Sequence, residues 1–312
     1  MKTRNLGNTG IKLSEVGYGA AALFGKNVFG KQGITDDYAY EIISTAIKHG
    51  VTFFDTGINY GYAEERLGRC INQVVKDGMV KRSDLVVETK CGERVNPDGT
   101  YGDMDWSTDW IKRSLEISLS RLNLQYIDLF AMHGGGIDDC TDKLIYMFQD
   151  MKSQGLIRAY GINTFDTKVL EWVADNDVFD YVMLDYNIMR QDRESLIKRL
   201  TDAGRAVVAG SALGESLYSK NVFRVRNRND FWYMARALVR FRDLMEKSKD
   251  FKFLAKQKDF TANQLALRYV LDNERISAAV FSTINIEHLI ENIKAVEICM
   301  PESVRKAIKE RA

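Results

Sequence analysis

Residues 50–69 read GVTFFDTGINYGYAEERLGR. Val51 to Phe54 is a short β-branched and aromatic run, the composition of a strand. Gly57 and Gly61 punctuate the loop that follows. A helix around Glu64 to Val75 then carries Leu67, Ile71 and Val74 on one face. Asp55 stands at the strand's end and Tyr60 in the loop beyond it. A carboxylate where a strand stops, followed by a phenol, is how a β/α barrel equips its C-terminal face.

The same unit recurs on both sides of this stretch. Upstream, residues 1–14 predict a hairpin turning at Asn8-Thr9-Gly10, between Leu6 and the pair Ile11 and Leu13. Val16 to Gly19 is a short strand. Thr35-Asp36-Asp37 opens a helix with Ala39, Ile42, Ile43, Ala46 and Ile47 at helical spacing, and Gly50 stops it. Downstream, strands are expected at 85–89, 126–131, 157–162, 181–184, 206–209 and 278–281. Helices are expected between them, from about Ser107, Thr141, Asp166, Glu194 and Ile286. A loop with Pro97, Asp98 and Gly99 precedes the helix at Ser107, and residues 214–260 read as a long irregular connection. Thr261 and Gln264 form a capping box, and Pro301 opens a last helix.

Alternating strands and helices over about 300 residues give a parallel sheet. Eight units favour a closed (β/α)8 TIM barrel with an N-terminal β-hairpin and a C-terminal extra helix. No break in composition divides the chain, so one domain over residues 1–312 is expected. Asp55, Lys90, His133, Asn163 and Ser211 all fall just beyond the predicted strand ends, which converge on one mouth in a barrel.

Composition narrows the function. Forty-four basic and 43 acidic side chains nearly cancel, which argues against a nucleic-acid or acidic-membrane surface. There is no apolar run of about 18 residues, and MKTRNLGNTG lacks a signal-peptide core, so a cytoplasmic protein is expected. Cys70, Cys91, Cys140 and Cys299 are widely spaced without a CxxC, so neither a disulfide framework nor a zinc site is indicated. A metal-dependent lyase or isomerase would need clustered ligands. Of the three histidines, His49 and His288 fall on helices away from the mouth, and no metal is expected.

Gly17-x-Gly19-x-x-Ala22 matches the dinucleotide fingerprint, with Asp36 and Asp37 about 20 residues on. The segment after Ala22, LFGKNVFGKQG, is too glycine-rich for the required helix. The acids sit at a helix start rather than a strand end, and the periodicity shows one βα ring without a second half.

Asp55, Tyr60, Lys90 and His133 come from three strand ends. Taken singly, each has an ordinary structural reading, as a turn cap, a packed ring, a surface ion pair or a loop hydrogen bond. Together they make a proton-transfer device. A free phenol has a pKa of about 10. A nearby ammonium lowers it, a carboxylate holds that ammonium, and a histidine orients a substrate oxygen. Since no side chain supplies hydride, a nicotinamide cofactor is implied.

The chain resembles the aldo-keto reductase superfamily over nearly its whole length. The pattern FFDTxxxYGxxEExLG, the ETK strand end, YIDLxxxH, GxIRAxGIN and IxxExLIEN carry the resemblance in order. It implies an NAD or NADP cofactor across the barrel mouth, Tyr60 as acid/base, and Asp55, Lys90 and His133 as its partners. It implies cofactor contacts at Gly19, Asn163, Thr164, Met183, Gly210, Ser211, Leu213, Gly214, Ser216, Ser282, Thr283, His288, Glu291 and Asn292. Asn163-Thr164 stands for the family's Ser-Asn pair, Met183 for a usual glutamine, and Gly210 for a frequent stacking tyrosine or tryptophan. NADP selection normally takes a lysine or arginine. Ser282, Ile284, Asn285 and His288 supply neither, which favours NAD.

The N-terminal run LGNTGIKLSEVGYGAAALFGKNVFG is most similar to the branch with L-galactose dehydrogenase and related aldose dehydrogenases. A small, sugar-like alcohol or carbonyl is the implied substrate, with Phe24, Trp106 and Trp110 as candidate sugar-stacking residues. Phe231 and Trp232 read as packing, and Arg224, Arg226, Arg228 and Arg236 as a solvated helix face. The alternative is a cofactor-binding sensor or interaction module with little turnover.

Overall fold

The structure is a computed structural model that describes residues 1–24, 34–96, 100–218 and 242–311. Its strands are β1 (Thr3–Asn5), β2 (Lys12–Ser14), β3 (Val16–Gly19), β4 (Phe53–Asp55), β5 (Val86–Cys91), β6 (Glu93–Val95), β7 (Tyr101–Met104), β8 (Ile127–His133), β9 (Ile157–Asn163), β10 (Tyr181–Asp185), β11 (Ala206–Gly210) and β12 (Ile276–Phe281). Its α-helices are α1 (Asp36–Lys48), α2 (Ala63–Lys76), α3 (Thr108–Leu122), α4 (Asp142–Ser153), α5 (Thr167–Asp175), α6 (Glu194–Asp202), α7 (Arg242–Ser248), α8 (Ala262–Leu271), α9 (Ile286–Ile293) and α10 (Glu302–Lys309).

Eight strands, β3, β4, β5, β8, β9, β10, β11 and β12, close into a barrel in that order, every neighbouring pair parallel. All eight are the strands expected from the sequence. Alternation along each strand sorts the side chains into two cores. Phe53, Val86, Leu129, Ala159, Tyr181, Val208 and Ala278 fill the interior. Phe54, Val87, Phe130, Tyr160, Val182, Val207 and Ala279 pack outward under the helices. Side chains of period 2 on a closed sheet have no other choice. The hairpin β1–β2 brings Leu6, Ile11 and Leu13 into the inner cluster, a plug at the floor.

Helix starts follow their caps. Thr35, Ser107, Thr141, Asp166 and Asn285 each accept a first-turn backbone N–H, and Thr261 with Gln264 forms the expected capping box. Pro301 is the N-cap of α10, one residue before its expected place in the first turn.

Gly17 and Gly19 lie within β3, and Ala20–Leu23 is a 3-10 turn rather than a phosphate-binding helix. A Cβ on Gly17 would come within 2.5 Å of Phe53 Cδ1. The fingerprint's first glycine is thus explained by barrel packing.

The sequence reading missed β6 and β7, an antiparallel hairpin inserted between β5 and α3. The turn residues Pro97, Asp98 and Gly99 lie outside the described residues, as do Phe231, Trp232, Arg224, Arg226, Arg228 and Arg236. Among the described residues no helix is long and apolar enough to cross a membrane.

Candidate active site

Asp55 and His133 are the last residues of β4 and β8, and Lys90 is the last but one of β5. They were expected just beyond the strands; the ladder instead runs on through them, with Asp55 in register with Glu88 and Lys90 with Ala131. Being part of the sheet fixes their direction more tightly than a loop would.

Lys90 is 1% exposed and forms an ion pair with Asp55 Oδ1. Its Nζ also donates to the Thr56 carbonyl at 2.8 Å and lies 5.5 Å from the centroid of the Tyr60 ring. Tyr60 Oη is 3.5 Å from His133 Nε2, and the two rings meet edge to face at 5.7 Å. The structure therefore brings all four predicted residues together.

The loop carrying Tyr60 is braced from below. Thr56 N donates to the Glu88 carbonyl at 2.9 Å and Ile58 N to the Lys90 carbonyl at 3.2 Å. Arg121 of α3 donates to the Ile58 carbonyl at 2.9 Å and to Glu64 Oε2 at 3.1 Å. Glu64 is fully buried and also accepts from Thr89 Oγ1 at 2.7 Å. Tyr101 of β7 accepts from Gly61 N through its hydroxyl at 2.6 Å, so the second hairpin is tied to the same loop.

Burial dominates the electrostatics. It holds His133 down to about 3, helped by Lys90, so the imidazole is neutral. It works against the Lys90 ammonium, but Asp55, Tyr60 and Glu88 outweigh it and hold Lys90 above its ordinary range. It pushes the Asp55 carboxyl up against the pull of Lys90. Tyr60 corrects the expectation of a lowered phenol. Lys90 does lower it, but burial outweighs the ammonium, with Asp55, Glu88 and Glu93 adding to the rise, so the phenol sits above its usual value. A desolvated phenol is held neutral unless further positive charge reaches the mouth.

The proposed cofactor positions fall at the ends of β3, β9, β11 and β12, within β10, in the turn after β11 and on α9. Asn163 ends β9 and donates from Nδ2 to Met183 Sδ at 2.7 Å. Thr164 N donates to the Met183 carbonyl at 3.1 Å. Gly210 ends β11, and a Cβ there would lie 3.2 Å from Met183 Cγ. Beyond it Ser211, Gly214, Glu215 and Ser216 all have positive φ, forming a tight turn around Leu213. Asn187 anchors this turn by donating to the Ser211 carbonyl at 3.1 Å.

At the end of β12, Ser282 donates to the Gly19 carbonyl at 2.7 Å, and Tyr18 to the Thr283 carbonyl at 2.8 Å. His288 is exposed on α9, and Glu291 lies on the same helix. Asn292 is 2% exposed, and its Oδ1 has no partner. That oxygen has no accessible surface, so the polar groups of this segment that a dinucleotide would meet from solvent include the exposed Ser282 and His288. The residues present fit a nicotinamide dinucleotide.

Phe24 is exposed and stands against Gly61 in the Tyr60 loop. Trp106 lies across Gly92 and Gly135, past the ends of β5 and β8; a Cβ on Gly135 would be 3.1 Å from its ring. Trp110 is on the first turn of α3 with the Arg94 guanidinium 5.7 Å above its ring, beneath the second hairpin. The sequence reading did not single out Glu88, Arg121 or Asn187. Glu88 was visible in principle, two residues before Lys90 and so on the same face of β5.

The family model for aldo/keto reductases matches residues 15–312. The chain belongs to the aldo/keto reductase family. Members are oxidoreductases that work with a nicotinamide cofactor on small carbonyl compounds. The chain is 29% identical over 306 residues to L-galactose dehydrogenase of Arabidopsis thaliana, covering 95% of this chain and 88% of that one. It is 24% identical over 333 residues to NADH-specific methylglyoxal reductase of Escherichia coli (strain K12), covering 100% of this chain and 98% of that one. Aldo-keto reductase AKR11C1 from Bacillus halodurans, in its holo form, superposes with a TM-score of 0.79 at 25% identity, covering 100% of this chain and 96% of that one.

Proposed function

We propose that this aldo/keto reductase interconverts a carbonyl and an alcohol on a small, sugar-like substrate, with Tyr60 as the acid/base and NAD as the better-suited cofactor. The observation that carries the reading is the meeting of Tyr60, His133, Lys90 and Asp55 at one end of the barrel. When bound, a nicotinamide dinucleotide supplies the hydride for reduction or takes it up in oxidation. For reduction, the Tyr60 hydroxyl gives its proton to the substrate oxygen as the carbonyl π pair moves onto that oxygen. For oxidation, the phenolate takes that proton back. His133, neutral, holds the substrate oxygen beside Tyr60 Oη without competing as an acid. Lys90 favours the phenolate, and Asp55 keeps the ammonium in place.

The sugar-like substrate is supported by the similarity to a galactose dehydrogenase and by the two aromatic rings, Phe24 and Trp106, beside the Tyr60 loop and the β5 and β8 ends. NAD is supported by residues 282–293, which include no lysine or arginine, and by the similarity to an NADH-specific reductase.

Two measurements test the proposal. Intrinsic tryptophan fluorescence should report tighter binding of NADH than of NADPH; the opposite order would overturn the cofactor assignment. Tyr60→Phe should lower kcat by about 10²–10⁴-fold with cofactor affinity unchanged. A variant that keeps its rate on aldose and small-aldehyde substrates would overturn the role of Tyr60.

A further inference from the structure

Beneath the Lys90–Asp55 pair lies a second carboxyl. Glu88 is on β5, on the same face as Lys90, and its Cα is the cross-strand partner of Asp55. It is completely buried. Its Oε1 accepts from Tyr181 Oη at 2.9 Å, and its Oε2 has no partner. The charged and titratable groups acting on it are Lys90 on its own strand, Asp55 on β4 and Tyr181 on β10; Tyr60, in the loop after β4, feels Glu88 in turn. One cation therefore faces two carboxyls. Lys90 already gives its hydrogen bonds to Asp55 and to the Thr56 carbonyl. An ionised Glu88 would leave a buried negative charge with one neutral hydrogen bond and an empty oxygen, a costly arrangement.

We propose that Glu88 is a positioning residue that acts through Lys90: it is protonated in the resting enzyme, which leaves the field of the ammonium undivided for the Tyr60 phenol. The inference rests on the proposed role of Tyr60 as acid/base. A neutral Glu88 leaves the Lys90–Asp55 pair balanced. An ionised Glu88 adds a negative charge that disfavours the phenolate. Burial is the main cause that lifts the Glu88 carboxyl to about 8, against the pull of Lys90, so it changes charge just above neutrality. Tyr181 opposes the rise, because its hydroxyl hydrogen bond favours the ionised form.

The test combines infrared titration with pH–rate profiles for alcohol oxidation. The cofactor-free wild type should show a protonated-carboxyl band that disappears with a midpoint near 8 and is missing in Glu88→Gln. Gln retains an acceptor for Tyr181 and stays neutral at every pH. Its rate should rise to half-maximum at lower pH than in wild type, without the inflection near 8. Tyr181→Phe should move the infrared midpoint upward, and this second variant keeps the assignment open to test if Glu88→Gln does not fold. A Glu88 band already ionised at about pH 6, or a Glu88→Gln profile superimposed on that of wild type, would overturn the proposal. Full activity in Tyr60→Phe would overturn the acid/base reading instead, while the infrared band would still report on Glu88.

Discussion

Lys90→Met separates the tuning of the phenol from the rest of the site. Lys90 Nζ lies 5.5 Å from the centroid of the Tyr60 ring. With an effective dielectric of about 20, two unit charges at that separation interact by about 3 kcal/mol. That corresponds to about two pH units in the ionisation of the phenol. Removing the ammonium removes a stabiliser of phenolate, so the sign is upward. The rate of alcohol oxidation should reach half its maximum at higher pH than in wild type, by up to about two units. About two units is the upper limit, reached with Asp55 still charged. Its carboxyl is pushed upward by burial, and a proton taken up there on loss of Lys90 removes a charge that raised the phenol, a contribution the Asp55→Asn background fixes. The residual stability cost of breaking a buried pair is about 3–5 kcal/mol. Circular dichroism melting, with a fall on the order of 10 °C, shows whether the variant is folded at the assay temperature. The profile of kcat/KM for oxidation is then measured in overlapping buffers, with Lys90→Met/Asp55→Asn as a second variant. An unmoved limb in a folded Lys90→Met protein would refute the argument that the ammonium tunes Tyr60.

Further outcomes follow from the same geometry. Arg121→Ala removes the bond to the Ile58 carbonyl and one partner of buried Glu64; unfolding in urea should show a loss of about 3 kcal/mol or more, with kcat falling as the Tyr60 loop loosens. Gly68→Ala places a Cβ against the backbone of Leu122, where neither helix can give way easily, and should cost about 1–3 kcal/mol by the same measurement with little change in KM. Because burial raises Glu88 from the ordinary carboxylate range to about 8, the folded protein holds a proton there that the unfolded chain has lost. The melting temperature should therefore fall as pH rises through that interval, more steeply than in Glu88→Gln, and equal slopes would contradict the shift. Gly210→Trp should impair folding alone and recover when combined with Met183→Ala, giving a non-additive pair in melting experiments.

The barrel was legible because its signal is repeated and local. The barrel strands sort their side chains into two cores, six of the described helices have a side-chain cap, and eight strand–helix units leave a closed ring as the economical arrangement. The second hairpin escaped because β6 and β7 have three and four residues, none of them buried. A strand that short, in a two-stranded hairpin outside the barrel sheet, leaves no periodic trace. The four mouth residues were legible as chemistry because unlike polar groups at successive strand ends have little structural reason to recur. Their electrostatics were not legible. The fall expected for the Tyr60 phenol depended on weighing one ammonium, and the larger influence is desolvation, which no spacing displays.

The departures at Met183 and Gly210 show the same limit from another side. In the sequence they are two unrelated losses, 27 positions apart, of a hydrogen-bonding and a stacking side chain. In the barrel they are neighbours across β10 and β11, and the Met183 side chain takes up the space a Cβ on Gly210 would need, with Cγ at 3.2 Å and Sδ at 3.4 Å. A large ring at position 210 and a methionine at 183 compete for one volume, so the two residues act as one feature. Met183 also receives the Asn163 amide, which gives that side chain a fixed direction at the mouth. This side of the site is thus filled from the barrel wall by a thioether rather than covered from the loop by an aromatic ring. An unbranched, polarizable side chain fills such a gap with more freedom to adjust than a ring has.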